Sequence, residues 1–240
     1  MFSKKLVGTL TVMAAMAAVP AASAIPEPGG IPDDLGPVAL QVCNGKVATI
    51  VSSGNIVGTP GDDVILGSAG DDVIKGKGGN DTVCGEEGVD EIHGNNGNDD
   101  LFGGPDANEI KGGRGTDDLV GGTSADVLRG GLGDDDLLGG DGEDRLYGGR
   151  GPDSVFAQPG NDHAYGNQGR DDVRGNQGND VVSGGSGDDL SLTGGDQDDQ
   201  VSGGPGTDPV CHGGELPGHP DLDGIADVDE VRRCEVPRLR

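Results

Sequence analysis

From Gly58 to Cys211 the chain repeats itself every nine residues, and this period restricts its folding more than any other feature. Successive blocks read GTPGDDVIL, GSAGDDVIK, GKGGNDTVC, GEEGVDEIH and GNNGNDDLF; the register absorbs one extra residue near Ser191 to Thr193 and ends with GGPGTDPVC. The stretch divides into 17 blocks, 16 of nine residues and one of ten. Position 1 is Gly except in the block opening at Ala157, position 6 is Asp except at Asn108, and position 8 is nearly always Ile, Val or Leu. A random acidic linker would not hold three phases together.

Composition makes the period necessary. With 50 Gly, no Trp and two Tyr in 240 residues, an ordinary apolar core is out of reach. Each Gly fixed in a regular element costs about 0.5 to 1 kcal/mol relative to Ala, and few large side chains are present to offset that by burial. Within Gly58 to Cys211, 33 Asp and Glu face nine Lys and Arg, a net charge of −24. Nucleic acid is excluded as a partner, since phosphate backbones are bound by Lys and Arg. Cations are the natural counterpart.

Ahead of the repeats, Lys4 and Lys5 precede an apolar run from Leu6 to Val19 and then Ala22-Ser23-Ala24. That is the layout of a cleaved secretory signal over residues 1–24, and the run is shorter than the roughly 20 residues that span a bilayer. The expected organisation is a signal at 1–24, a linker and cap at 25–57, the array at 58–211 and a cap or tail at 212–240, exported to the extracellular space without membrane insertion.

The blocks resemble the hemolysin-type calcium-binding nonapeptide, GGxGxDxUx, of RTX proteins, a motif of the parallel β-helix type. The resemblance covers about three quarters of the mature chain and is specific through its copy number. It implies an all-β fold, a calcium-stabilised parallel β-roll or β-solenoid, and a small secreted bacterial member of the family holding repeats alone. RTX toxins, proteases and lipases carry a catalytic or pore-forming region before their repeats. Here 33 residues separate the expected cleavage point from the first block, so toxin function is not carried over.

In each block, positions 1 to 6 are expected to form a loop and positions 7 to 9 a three-residue strand. Side chains alternate along a strand, so position 8 points inward and Ile65, Ile74, Val83, Ile92, Leu101, Ile110, Leu119, Leu128, Leu137 and Leu146 stack as an aliphatic ladder. Positions 7 and 9 point outward, where Lys75, Lys111, Arg129, Arg145 and Arg174 lie. Gly at positions 1, 2 and 4 lets loops approach closely and exposes carbonyl oxygens. Calcium takes six to eight oxygen ligands from carboxylates and carbonyls, and a Gly-rich loop ending in Asp supplies both.

The candidate metal ligands are therefore Asp63, Asp72, Asp81, Asp90, Asp99, Asp117, Asp126, Asp135, Asp144, Asp153, Asp162, Asp171, Asp180, Asp189, Asp199 and Asp208. The family resemblance places successive blocks on opposite sides of a flattened coil, with each ion between blocks n and n+2. Asp63 would then share an ion with Asp81, and Asp72 with Asp90, giving at most 15 sites from the 17 blocks. Blocks departing from the pattern, at Asp106 and Asn108, Ala157, Ser124 and Gln197, are expected to hold weak or empty sites, and the extra residue near Ser191 to interrupt the roll. Without cations, packed carboxylates repel by about 1 kcal/mol per pair in water and more at lower dielectric. The array is accordingly expected to be unfolded without calcium and to fold on binding it.

Four cysteines in a secreted chain suggest two disulfides. Of three pairings the simplest joins Cys43 to Cys84 and Cys211 to Cys234, each bridge clipping a cap onto an open end; Val38 to Val42 and Lys46 to Val51 read as short cap strands. Paired cysteine spacing for zinc is missing. The segment from His219 to Glu230 loosely resembles an EF-hand loop, but its first position is His and an isolated acidic turn fits it better.

No nucleophile-elbow pattern is present, and the paired carboxylates follow the period, as metal ligation requires. The chain is read as a non-enzyme: a calcium-responsive structural or interaction module that meets cell-surface or extracellular-matrix components. The alternatives are a calcium-dependent carbohydrate- or surface-binding solenoid, with Tyr147, Phe156 and Tyr165 the one aromatic cluster suited to carbohydrate, and a non-catalytic accessory to an extracellular enzyme on another chain.

Overall fold

The computed structural model describes residues 41–208, 211–212 and 230–232. The expected signal at 1–24, residues 25–40, Cys234 with its expected bridge to Cys211, and the tail from His219 to Asp229 lie outside the described residues. Among those described there is no helix. The chain coils into two parallel sheets of ten strands each, consecutive strands alternating between them. The first sheet begins with Ile50–Val51, Val64–Leu66 and Thr82–Cys84; the second begins with Asn55–Val57, Val73–Gly78 and Glu91–Asn96. One turn of the coil is thus two blocks, as in the pairings Glu91↔Glu109 and Asp118↔Asp136. This is the parallel β-solenoid that the sequence predicts.

The interior is the expected ladder. Ile65 through Leu146 at position 8 are all buried, and Ile56, Val155, Ala164, Val173, Val182, Leu192 and Val201 extend the same cluster at both ends. Fully burying one such aliphatic side chain contributes about 1.5 to 3 kcal/mol.

The strands are twice as long as the expected three residues. Typical ones, such as Glu109–Arg114 and Val127–Leu132, have six residues and run through positions 7, 8, 9, 1, 2 and 3. Their burial alternates so that position 1 also points inward. A Cβ there would meet the carboxylate of the same block and a carbonyl two blocks on, as at Gly121 with Asp126 and Gly139. Gly at position 1 therefore continues the strand beside that carboxylate, as does Ala157, the one non-glycine there, inside the strand Ser154–Pro159.

The extra residue does not interrupt the roll. It is absorbed at Leu190, which stands 45% exposed between Asp189 and the strand Ser191–Asp196. That strand pairs Asp172↔Ser191 and Val173↔Leu192, one residue beyond the usual spacing, and Leu192 keeps its place in the ladder. Looping out one side chain costs less than breaking five backbone pairs.

At the N-terminal end, Val42–Cys43 and Lys46–Val47 form an antiparallel hairpin, while Ile50–Val51 already pairs with Val64–Leu66 in the roll. The Cys43–Cys84 disulfide, with Cα atoms 5.7 Å apart, fastens the hairpin to the first sheet as expected. Lys46 Nζ adds hydrogen bonds to Thr82 Oγ1 at 2.6 Å and Asp100 Oδ2 at 3.0 Å. At the other end Glu230–Arg232 adds a strand beside Gln200–Ser202, so Glu230, the last position of the EF-hand-like segment, lies in a sheet. Cys211 pairs in register with Leu192, one residue later than the nine-residue count places the partner.

Candidate metal centre

All sixteen position-6 aspartates are buried, each at most 6% exposed, as is Asn108. They fall into two columns because alternate blocks lie on opposite sides of the coil. Within a column, the backbone N–H of one aspartate donates to Oδ1 of the next: Asp63 to Asp81 at 2.9 Å, Asp81 to Asp99 at 2.8 Å, Asp126 to Asp144 at 2.8 Å. The spacing of two blocks inferred from the family resemblance is the spacing of this ladder.

The second carboxylate oxygen is the informative one. Oδ2 of Asp81, Asp90 and Asp99, and of every position-6 aspartate from Asp117 to Asp180, is buried and accepts no hydrogen bond. A buried acceptor left unmade costs about 1 to 3 kcal/mol, and more when charged. Burial accordingly raises these carboxyls from the ordinary 3.8: Asp81, Asp90, Asp99, Asp135, Asp162 and Asp171 to about 6, Asp117, Asp126, Asp144, Asp180 and Asp189 to about 7, and Asp153 to about 8. Desolvation is the largest cause in each, and the ladder's own N–H donors oppose it. Burial thus disfavours the bare carboxylate at these positions and favours its pairing with a proton or a cation.

The loops add oxygen. Left-handed φ at position 4, for instance +127° at Gly115 and +137° at Gly133, brings each loop against the carbonyl of the loop two blocks before it. A Cβ on Gly115 would overlap Gly97 O, and one on Gly133 would overlap Gly115 O. Among the described residues no group of three or more His, Cys, Asp or Glu side chains converges on one point. A cation here must draw on carboxylate pairs completed by backbone carbonyls, a donor set suited to hard ions.

The departing blocks differ in kind. Asn108 keeps the ladder, accepting from Asp90 N at 2.9 Å, but its Nδ2 donates to Asp106 O at 2.6 Å within its own loop. The position that is orphaned elsewhere is here neutral and satisfied. At the start of the array Asp63 Oδ2 accepts from Thr59 N at 2.6 Å, and Asp72 Oδ2 from Ser68 N at 2.7 Å. The orphaned oxygens begin only at Asp81. Ala157 is buried in the position-1 column, and its strand pairs beyond it with Asn176 on one side.

A second ladder was not read from the sequence. At position 5, Asn80 N donates to Asp62 Oδ1 at 2.7 Å, Asn98 N to Asn80 Oδ1 and Thr116 N to Asn98 Oδ1 at 2.9 Å each. The recurrence of Asp and Asn at that position is its one signal. The aromatic cluster is divided: Tyr147 and Tyr165 stack at 5.3 Å on the second sheet, whereas Phe156 lies on the first, beneath the Arg174 guanidinium at 5.3 Å.

Comparison with family models matches the description RTX calcium-binding nonapeptide repeat (4 copies) at residues 57–92, 93–128, 120–155, 156–190 and 191–208. Among curated proteins none matches the chain.

Proposed function

The chain belongs to the RTX calcium-binding nonapeptide repeat family, and from that premise we propose that it is a secreted module whose roll forms when calcium binds. The observation that carries the reading is the row of buried, unpartnered Oδ2 atoms from Asp81 to Asp180. Position-6 carboxylates two blocks apart, with loop carbonyls, would hold the ions; bound calcium would supply positive charge to carboxylates that the fold strips of water. Twelve ions would cancel the array's net charge of −24, with the block at Asn108 contributing least. Affinity in the extracellular range, about 10⁻⁴ to 10⁻³ M, fits a module that is unfolded before export and folds outside, presenting its faces to surface or matrix material. It supplies no catalytic group of its own.

Isothermal titration of the full chain tests the ligand assignment. Asp135→Asn is expected to lower the calcium stoichiometry while the remaining sites titrate, because Asp135 is paired in the ladder with both Asp117 and Asp153. An unchanged stoichiometry would refute it. Export is tested by the N-terminus of protein recovered from culture medium, expected at Ile25.

A further inference from the structure

Alternate blocks face opposite ways, so charge on the outside of the roll is sorted by the parity of the block. In the second sheet, the strands from Val73–Gly78 to Gln200–Ser202 carry seven Lys and Arg against Glu91 and Glu109. In the first sheet, the strands from Val64–Leu66 to Ser191–Asp196 carry five Asp against Arg174 alone. A chain of net charge −27 thus keeps one basic face. Among the described residues Lys75, Arg145 and Arg150 form no ion pair, and all three are exposed. The acidic face also holds a half-buried apolar column, Phe102, Val120, Leu138 and Phe156, in parallel register. The basic face has Tyr147 and Tyr165 in line with Lys111 and Arg129.

We propose that the basic outer face of the second sheet docks on the acidic outer face of the first sheet of another copy of this chain. Both surfaces repeat at one strand spacing, about 4.8 Å, because both are built from the same two-block turn, so rows of one face match rows of the other at every step. Among the described residues the hairpin at Cys43 covers the start of the acidic face and reaches Asp100 through Lys46, which leaves the five strands from Asp118–Gly122 to Ser191–Asp196 beyond its contacts. Five strands of five or six residues offer roughly 450 Å² per partner, or about 900 Å² in all, the size of a weak, reversible contact. The contact joins two different faces, so it does not close on itself and leads to open stacks. It rests on the calcium-folded roll proposed above, since neither face exists in an unfolded chain.

Sedimentation of the full chain in calcium, with far-ultraviolet circular dichroism on the same samples, tests this. The wild type is expected to associate with rising concentration at low salt and to dissociate at high salt. Lys75→Glu with Arg145→Glu, and separately Asp136→Lys with Asp196→Lys, are each expected to weaken association about tenfold or more, since like charges then meet. Mixing the two variants is expected to restore it, because each retains the native face that the other lacks. A folded wild type that remains monomeric overturns the proposal, as does association undiminished in both variants. If that monomer instead binds polygalacturonate through the basic face, the partner is an anionic polymer. A spectrum that does not change with calcium would count against calcium-driven folding and not against the docking.

Discussion

Replacing Gly133 by Ala, with Gly70→Ala as its counterpart, separates loop stacking from the ordinary effect of removing a glycine. Both occupy position 4 of their blocks. Gly133 has φ +137°, and a Cβ there would fall within the carbonyl oxygen of Gly115, an atom of a backbone that cannot swing aside. A side chain at such a φ costs about 1 to 3 kcal/mol from the backbone alone, and the overlap must add a displacement of stacked loops. Gly70 lacks a left-handed φ, and a Cβ there would meet nothing within 4 Å. Its replacement is expected to be neutral or to stabilise by about 0.4 to 1 kcal/mol through the unfolded chain. Taking about 3 kcal/mol for Gly133→Ala, the melting temperature of the calcium-loaded protein should fall by roughly 6 to 12 °C, while Gly70→Ala leaves it level or slightly raised. Thermal unfolding followed at the β-sheet circular dichroism band reads both. Equal losses in the two variants, or none in Gly133→Ala, would refute the argument that these glycines exist to let loops touch.

Three further outcomes follow from the same geometry. In calcium-stripped buffer, acidification should favour the roll: the buried carboxyls are raised from 3.8 to between about 6 and about 8, so the stability they contribute is full below pH 4 and lost as pH rises through 6 to 8. Far-ultraviolet spectra that become less ordered from pH 8 to pH 5 would contradict this. Asn108→Asp exchanges the satisfied Nδ2 for an orphaned Oδ2; it should raise the calcium stoichiometry by one or two ions and destabilise the roll when calcium is low, as titration calorimetry can show. Removing the Cys43–Cys84 bridge, which closes a separation of 41 residues, should cost about 4 kcal/mol on the chain-entropy account, measured as a lower urea midpoint in saturating calcium.

Much of the fold was legible because the period carries it. Position 8 marks the inward ladder, position 6 the buried carboxylates, and the outward position of Cys84 made it the simple partner for Cys43. Strand length was not legible, since Gly at position 1 reads as a loop residue until the facing carboxylate shows that a residue as small as Gly or Ala is needed there to continue the strand. The bulge at Leu190 was misplaced by a residue or more because the count finds an insertion without showing which side chain leaves the stack. The satisfied amide of Asn108 depends on one contact, to Asp106 O, that residue type alone cannot reveal. The charge of the two faces disappears at a period of nine and emerges at eighteen, the length of a full turn, which is why Phe156 was grouped with tyrosines that lie on the other side of the roll.

On the proposed function, calcium completes the interior, neutralising the buried carboxylates that flank the aliphatic ladder. The direct measurement is the far-ultraviolet circular dichroism of the full chain titrated with calcium, with magnesium as the control. Calcium should convert a disordered spectrum to a β-sheet one cooperatively, and magnesium, which demands tighter octahedral geometry, should do so poorly. A β-sheet spectrum already complete at neutral pH in chelator and unchanged by calcium would contradict it.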